Sequence, residues 1–242
     1  MTGDARRWAW ADIDLDAIRH NVEHLRAAVA PSGLWAVVKA NGYGHGAVDV
    51  ARAALAGGAD GLCVALVQEG LDLRERGIAA PILVLSEQPL AAASDIVRHD
   101  LTATVYTAEY VDALAAAARD AGRVDVAVHV KVDTGMQRVG VDAAGTAALV
   151  GHVAARGPTL RLEGVFTHLA VADDPTDPFT TTQLERFDSV LEELGDAAPP
   201  IVHAANSAAA LTSTAARRSF VRAGIAVYGI SPGEGVDHLC TA

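Results

Sequence analysis

The feature of this sequence that most clearly suggests chemistry is a lysine at the end of an apolar run. Residues 34–38 are apolar, Lys39 follows them, and the glycine-rich segment 40–46 carries a tyrosine, Tyr43. A helical pattern resumes at Ala47, so this segment joins a strand to a helix. α/β proteins place binding and catalytic groups at such joints. Lys39 is therefore a candidate reactive amine.

Other candidate residues lie at the ends of later apolar runs, and Arg222, Gly224 and Ile225 lie within the run 221–228. Because the carboxyl ends of parallel strands share one edge, these side chains should converge. The candidate residues are Lys39, Tyr43, Lys131, Arg138, His168, Asn206, Ser207, Arg222, Gly224 and Ile225. The set is rich in cations, has few carboxylates and contains no metal-ligand cluster. It indicates a site for an anionic ligand beside one reactive amine.

Each candidate also has a structural interpretation. A lysine at a strand end is commonly a solvated charge, and an Asn-Ser pair that opens a helix is commonly a cap, although a helix N-terminus also suits a phosphate. His168 alone would be structural, and Asp133 has at most a supporting role. The histidines treated as structural are His45, His129 and His203. The segment 42–46 is a weak match to a dinucleotide-binding turn, because the third glycine is misplaced and no acidic residue ends the second strand.

Eight apolar runs alternate with helical patterns along the chain. The runs cover 34–38, 61–66, 81–85, 101–106, 124–132, 160–166, 200–205 and 221–228. The helical patterns cover 16–30, 47–57, 68–77, 89–99, 107–121, 142–156, 180–195 and 207–215. Continuously apolar strands are buried on both faces, which favours a parallel sheet. The count predicts an α/β fold, a (β/α)8 TIM-type barrel, with a doubly wound open sheet as the alternative.

The predicted organisation has three parts. Residues 1–15 contain a short strand around 8–14, residues 16–232 form the barrel, and residues 233–242 form an irregular tail. Asp16 is the predicted N-cap of the first helix.

Composition excludes several classes of protein. The formal net charge of −11 argues against a nucleic-acid or anionic-membrane partner. Cys63 and Cys240 give neither a metal-ligand spacing nor a disulfide framework, and Cys63 lies in an apolar run as a small buried residue. The sequence has no signal-peptide pattern and no apolar run approaching about 18 residues, so we expect a cytoplasmic protein.

Five segments resemble the alanine racemase family, which are pyridoxal-phosphate enzymes of fold type III. The segments are AVVKANGYGHG (36–46), KVDTGMQRVG (131–140), FTHLA (166–170), ANSAA (205–209) and RAGIAVYG (222–229). They occur in the family's order within about residues 8–232, so chance is not a serious alternative.

The resemblance implies a role for each candidate residue. Lys39 corresponds to the lysine that binds pyridoxal 5'-phosphate covalently and then acts as one catalytic base. A lysine with this role must be partly neutral, which burial near other cations favours. The residues that correspond to the phosphate cradle and its surroundings are Tyr43, Asn206, Ser207, Gly224 and Ile225.

Four further residues correspond to groups around the cofactor ring and the substrate. Arg222 matches the arginine that faces the pyridine nitrogen and opposes its protonation, which weakens the ring as an electron sink. Arg138 matches the arginine near the phenolic oxygen and the substrate carboxylate. Lys131 matches a lysine that is carbamylated in some members. His168 matches the histidine that packs beside the ring and links Arg222 to the second base.

The resemblance also implies a contribution from elsewhere. Racemisation of alanine needs a base on each face of the α-carbon. In the family the second base is a tyrosine of a C-terminal β-domain in the partner subunit of a homodimer, and the strand around 8–13 packs on that domain. The present sequence stops before such a domain.

We therefore expect a racemase that converts L-alanine to D-alanine for peptidoglycan, with weak or no activity in this chain alone. A single-domain carrier of pyridoxal phosphate without turnover is the alternative, and a fragment that does not fold stably is the third hypothesis.

Overall fold

Short apolar segments form the inner wall of the fold. The computed structural model describes residues 10–233. The strands are β1 (Gly33–Val37), β2 (Gly61–Val64), β3 (Ile82–Val84), β4 (Ala103–Val105), β5 (Val126–Asp133), β6 (Val141–Asp142), β7 (Leu160–Phe166), β8 (Ile201–His203) and β9 (Phe220–Ala223). Every residue of β1 to β4 is buried, as expected of strands that are covered on both faces.

Parallel pairing arranges eight of these strands in a nearly closed barrel. The order is β3-β2-β1-β9-β8-β7-β5-β4, and β6 pairs with the end of β5 outside the ring. β3 and β4 meet at one parallel bridge between Leu83 and Thr102. The Thr102 N–H donates to the carbonyl oxygen of Ile82, and the Thr102 carbonyl oxygen accepts from the Val84 N–H. The predicted (β/α)8 barrel is confirmed, and the open doubly wound sheet is not formed.

Helices pack around the outside of this barrel, apart from the short segment Lys39–Tyr43, whose backbone is a left-handed turn after β1. They are α1 (Leu15–Val29), α2 (Lys39–Tyr43), α3 (Ala47–Ala56), α4 (Val67–Glu75), α5 (Ala93–Arg98), α6 (Ala108–Asp120), α7 (Ala143–Ala154), α8 (Phe179–Leu194), α9 (Ser207–Thr212) and α10 (Thr214–Arg217). Three 3-10 turns cover Leu90–Ala92, Gly195–Ala197 and Ile225–Tyr228. The buried residues of α1 recur at helical spacing, which places its apolar face on the barrel.

The first described residues differ from the sequence-based expectation. Residues 10–14 form no strand, and the rest of the segment expected around 8–14 lies outside the described residues. α1 begins at Leu15, and Asp14 caps it by accepting a hydrogen bond of 3.0 Å from the Ala17 N–H. Asp16 as the N-cap was therefore wrong, because it lies inside the first turn. There its charge still suits the positive end of the helix.

The last predicted strand and helix are shorter than expected. β9 ends at Ala223, because Gly224 adopts φ −105° and ψ −99° and the backbone then continues as a 3-10 turn. The helix predicted over 207–215 is divided at Ser213, whose extended backbone ends α9 and caps α10. The break at Gly224 lies at the carboxyl end of β9, so it shapes the rim of the barrel.

Candidate active site

One cavity of about 510 Å³ lies at the carboxyl ends of the strands. This volume is typical of a small-molecule site. All the residues predicted from the sequence line it: Lys39, Tyr43, Lys131, Arg138, His168, Asn206, Ser207, Arg222, Gly224 and Ile225. The structure therefore brings together residues from distant parts of the chain, while their individual roles remain predictions.

The lysine after β1 begins a left-handed turn. Ala40, Asn41, Gly42 and Tyr43 have φ values of 52°, 54°, 62° and 51°. Consecutive left-handed residues are costly for any residue with a Cβ, and such strain persists only where surrounding contacts impose it. Here the Asn41 side chain accepts from the Ala47 N–H at 3.0 Å and fixes the start of α3. The turn places Lys39 Nζ 5.9 Å from the centre of the Tyr43 ring.

Small groups from the segments after β8 and β9 form a cradle beside this turn. Ser207 Oγ accepts hydrogen bonds from the backbone N–H groups of Gly224 at 2.9 Å and Ala226 at 3.4 Å. A Cβ atom added at Gly224 would lie 2.8 Å from the Tyr43 hydroxyl oxygen, so only glycine fits there without a shift. Burial raises the pKa of Tyr43, and nearby Cys63 raises it further. Tyr43 therefore remains protonated and can donate a hydrogen bond.

Asn206 combines the two interpretations made from the sequence. Its side-chain oxygen accepts from the Ala209 N–H at 3.1 Å, so it is the N-cap of the six-residue helix α9. The same residue lines the cavity. Its cap role is thus established by geometry, whereas its contact with a ligand remains a prediction.

Arg222 is a buried guanidinium at the bottom of the cavity. Its Nη1 lies 2.6 Å from His203 Nδ1, and its Nη2 donates to the carbonyl oxygens of Thr167 at 2.8 Å and Ala204 at 3.1 Å. Its Nη2 also lies 3.4 Å from His168 Nδ1. Burial lowers the pKa of Arg222 to about 10, so the group remains charged at neutral pH. These contacts hold the guanidinium in one orientation.

Lys131 is the second lysine of the cavity, and it is 4% exposed. Its Nζ lies 5.5 Å from the centre of the Phe166 ring. Burial lowers the pKa of Lys131 to about 8, helped by the positive charges of Arg222, Arg138 and Lys39. About a tenth of the Lys131 amines are then neutral at pH 7. Lys39 and Lys131 are the only two lysines in the sequence.

Arg138 is exposed at the mouth of the cavity, on the loop after β5. Asp133 shapes this loop, since one of its carboxylate oxygens accepts from the Gly135 N–H at 2.9 Å and the Gln137 N–H at 3.1 Å. These bonds show that Asp133 has a local structural role in the loop. Because Arg138 faces outward, it is suited to a ligand group that enters from solvent.

His168 is uncharged in this environment. Burial and the positive charge of Arg222 lower its pKa to about 3, with further contributions from Lys131 and other cations. Its main-chain carbonyl accepts a hydrogen bond of 3.0 Å from Gln183 Nε2, and Gln183 Oε1 accepts from the Ala170 N–H at 2.8 Å. Gln183 therefore anchors the segment that carries His168. Sequence reasoning missed this residue, because a helix pattern does not identify one buried amide.

Two histidines taken as structural also reach this site. His203 contacts Arg222 directly, and His129 contacts His203 with 2.9 Å between Nδ1 and Nε2. Both histidines are fully buried. The sequence does contain one indication of this contact. Each histidine interrupts an apolar strand, and a buried imidazole requires a polar partner. In the described part of the chain, by contrast, the His45 ring bonds only to the carbonyls of its own turn, and it packs at a tilt of 40° against the Tyr228 ring.

Other features limit the chemistry of the described residues. In residues 10–233, no group of three or more His, Cys, Asp or Glu side chains could hold a metal ion. Cys63 is buried in β2 as predicted, and burial raises its pKa to about 12, which makes it a poor nucleophile. No helix in this part of the chain is long and apolar enough to cross a membrane. What remains is a cation-rich cavity with two amines.

The fold and cavity define an α/β barrel protein whose rim carries several cationic side chains, among them Lys39. The model of the alanine racemase N-terminal domain matches residues 13–232. The chain is 47% identical to an alanine racemase of Symbiobacterium thermophilum over 238 residues, which are 98% of this chain and 63% of that protein. It is 43% identical to an alanine racemase of Geobacillus stearothermophilus over 98% of this chain and 60% of that one.

Solved structures agree with these sequences. The alanine racemase of a D-cycloserine-producing Streptomyces lavendulae has a TM-score of 0.89 and 40% identity, covering 93% of this chain and 60% of that one. A Bacillus anthracis alanine racemase with bound L-Ala-P has a TM-score of 0.84 and 37% identity, and the match covers 95% of this chain and 60% of that one. The chain belongs to the alanine racemase family, and it spans about three fifths of the length of these relatives.

Proposed function

We propose that this chain is the cofactor-binding barrel of a pyridoxal 5'-phosphate-dependent alanine racemase. The observation that carries the proposal is the position of Lys39 in one cavity with Tyr43, Ser207, Gly224 and Arg222. These residues come from the ends of three strands, β1, β8 and β9, and each has a counterpart in the family. The membership of the chain in the alanine racemase family supports the same reaction.

The residues present fit pyridoxal phosphate. The Tyr43 hydroxyl, the Ser207 hydroxyl and the amides at Gly224 and Ile225 would hold the phosphate. The missing Cβ at Gly224 leaves room for the Tyr43 hydroxyl at this position. Lys39 would supply the amine for covalent attachment. The bound cofactor supplies a ring that withdraws electrons and so acidifies the amino acid's α-proton. Lys39 would then take and return that proton on one face.

The remaining cations have separate roles. Arg222, fixed by its contacts with Thr167, Ala204 and His203, would face the ring nitrogen as a donor and keep it unprotonated. Arg138, which is exposed at the cavity mouth, would receive the substrate carboxylate. Lys131 has the neutral amine fraction that carbamylation by CO₂ requires, and the resulting carbamate would lie among the cations that now lower its pKa.

A covalent-labelling experiment tests this function. Incubation with pyridoxal phosphate should produce the absorbance band of a lysine-bound cofactor, and borohydride reduction should make the attachment permanent. Because the sequence has only two lysines, peptide mass spectrometry can assign the adduct to Lys39 or Lys131. We expect it on Lys39, and Lys39→Ala should lose it. No band, or an adduct on Lys131 alone, would refute the proposal.

The complete reaction belongs to the longer protein in this proposal. The relatives are longer than this chain, and the family's second base and homodimer are expected to come from that additional length. Alanine is the proposed substrate, and its D-isomer would serve peptidoglycan synthesis. Binding without racemisation would favour the carrier function instead, so the labelling experiment should be followed by an alanine racemisation assay of the same preparation.

A further inference from the structure

A buried hydrogen-bond network leads from the cavity into the barrel interior. It consists of Arg222, His203, His129 and Glu163. Arg222 Nη1 lies 2.6 Å from His203 Nδ1, and His203 Nε2 lies 2.9 Å from His129 Nδ1. His129 Nε2 then lies 3.1 Å from Glu163 Oε2. The network therefore connects a buried cation to a carboxylate through two imidazoles.

Only one set of proton positions satisfies all three contacts. Guanidinium nitrogens can only donate, so His203 Nδ1 must accept and carries no proton. A neutral imidazole then has its proton on Nε2, which donates to His129 Nδ1. His129 in turn has its proton on Nε2 and donates to Glu163. A doubly protonated His129 would force His203 to accept at both nitrogens as an imidazolate, so both histidines are neutral with the same tautomer.

The barrel wall is adapted to this arrangement. The pairing of β5 with β7 shifts between Val128 and His129, so that Leu162 pairs with Val128, Gly164 pairs with His129, and Glu163 is left out as a bulge. Bulges redirect side chains and are common near functional sites. A Cβ atom at Gly164 would lie 2.6 Å from the His129 ring, so glycine is needed for the imidazole to fit.

Aromatic rings hold the central imidazole in place. The Phe166 ring stacks on His203 with centres 4.5 Å apart and planes 8° apart. Trp35 meets the same imidazole edge-on at 5.1 Å and also contacts His129 at 5.4 Å. These contacts leave the two imidazoles little freedom to rotate, so the network can fix the direction of the Arg222 side chain.

The network also compensates the positive charge of buried Arg222. No ion pair of Arg222 with a carboxylate occurs within residues 10–233, although its side chain is 4% exposed. Glu163 remains ionised, because its contacts with His129 and Arg161 lower its pKa to about 2. Burial and Arg222 lower the pKa of His203, which agrees with a neutral ring. The aligned imidazole dipoles thus connect the buried cation to a negative charge.

We propose that Glu163, His129 and His203 are positioning residues that fix Arg222 toward the cofactor ring and supply its compensating charge through two neutral imidazoles. The inference rests on the proposed function for its ligand. Within the described residues, Arg222 Nε makes no hydrogen bond, so its N–H is available as a donor to a ligand in the cavity that Arg222 lines.

The first test uses the wild-type chain without cofactor. Nitrogen-15 NMR of labelled histidine distinguishes protonated from bare imidazole nitrogens, and His203→Gln and His129→Gln assign the signals. We expect both histidines to be protonated at Nε2 and bare at Nδ1 at neutral pH. Double protonation or the opposite tautomer in either residue would overturn the inference.

The second test measures the preference of the protein for one of two ligands instead of its activity. Equilibrium binding of pyridoxal phosphate is compared with that of its carbon analogue, in which CH replaces the ring nitrogen and cannot accept from Arg222. We expect Glu163→Gln and His203→Leu to reduce the wild-type preference for the nitrogen compound, by about tenfold for His203→Leu. His203→Gln, whose amide can accept from Arg222 and donate to His129, should retain most of the preference.

A matched control separates this effect from general destabilisation. Asp125→Asn removes the 3.0 Å ion pair with Arg161 but leaves the four network residues intact, so it should keep the wild-type preference. An unchanged preference in both Glu163→Gln and His203→Leu would overturn the inference while leaving the proposed function standing. A wild-type chain that binds neither compound would refute the proposed function, and the NMR result would still decide whether the network exists as assigned.

Discussion

The carboxylate of Glu69 accepts a hydrogen bond of 2.5 Å from the backbone N–H of Ala40, the residue that follows Lys39. Its other oxygen accepts from the N–H groups of Ala65 at 2.8 Å and Leu66 at 3.0 Å. One side chain of α4 therefore joins the left-handed turn to the end of β2. Because the turn is strained, its position depends on this contact.

Replacing this carboxylate should loosen the turn. Glu69→Gln leaves one oxygen acceptor for three donors, so we expect the free energy of unfolding to fall by about 1–3 kcal/mol. The affinity for pyridoxal phosphate should fall several-fold, since Lys39 and Tyr43 lie on the turn. Urea unfolding and equilibrium binding measure the two effects. Glu75→Gln, on the exposed end of the same helix, is the control, and equal behaviour of the two variants would contradict the assignment.

The close approach of Gly224 to Tyr43 predicts that a larger residue at position 224 weakens phosphate binding. Gly224→Ala would bring a Cβ to 2.8 Å from the Tyr43 hydroxyl oxygen, so Tyr43 must move out of the cradle. We expect weaker binding of pyridoxal phosphate than in the wild-type chain, and a smaller loss for pyridoxal, which lacks the phosphate. Fluorescence titration with both compounds measures this difference.

Gly151, which has no close neighbours, provides the control for that experiment. A Cβ at Gly151 in α7 would meet nothing within 4 Å, so Gly151→Ala should bind like wild type. It should also raise the free energy of unfolding by about 0.5–1 kcal/mol, because alanine favours a helix interior over glycine. Equal losses of phosphate and non-phosphate ligand in Gly224→Ala would show that the cradle is not the cause.

Buried Lys131 predicts a pH dependence of stability. Its pKa is about 8 in the folded state against 10.5 for an ordinary lysine, so the unfolded state binds more protons between these values. The free energy of unfolding due to Lys131 should therefore rise from pH 8 to pH 10.5, by about 3 kcal/mol in total. Below pH 8 the folded state bears the full cost of the buried ammonium.

Lys131→Met isolates this contribution. The difference in unfolding free energy between wild type and Lys131→Met should change with pH in the stated direction, since the other groups cancel. The buffers must be depleted of CO₂, because a carbamate would replace the ammonium. Parallel curves for the two proteins across pH 8 to 10.5 would mean that Lys131 titrates normally.

The sequence predicted the barrel and its rim for a physical reason. Buried parallel strands leave continuous apolar runs, and the residues just after them must face one edge, so Lys39 and Arg222 could be placed together although they are distant in sequence. The family resemblance then added roles. The predicted ends of the strands were less accurate, because Gly224 can leave the strand conformation without any change in hydropathy.

Supporting residues were harder to find than the rim residues. Gln183 lies in a helix whose other inward positions are apolar, and no local pattern distinguishes a buried amide that holds His168. The roles of His129 and His203 depend on a bulge that places Glu163 beside them, and a bulge has no signal in a run of apolar residues. Such contacts arise from the three-dimensional register of the strands.

The last prediction concerns the number of bases that act on alanine. With Lys39 as the base of this chain, the 242 residues with bound cofactor should exchange the α-proton of one alanine enantiomer with solvent deuterium. Inversion should be much slower, because the proton must return to the face from which it left, and a second base is worth about 10²–10⁴ in rate. Proton NMR in D₂O measures exchange, and chiral chromatography measures inversion.

Two controls define the outcome of this experiment. Free pyridoxal phosphate at the same concentration gives the background exchange, and Lys39→Ala should not exceed it. Exchange of one enantiomer without inversion would support a single base in this chain, as the proposed function requires. Inversion as fast as exchange would instead place both bases within these residues, and Tyr43, whose ring lies 5.9 Å from Lys39 Nζ, would then be the first tyrosine to replace with phenylalanine.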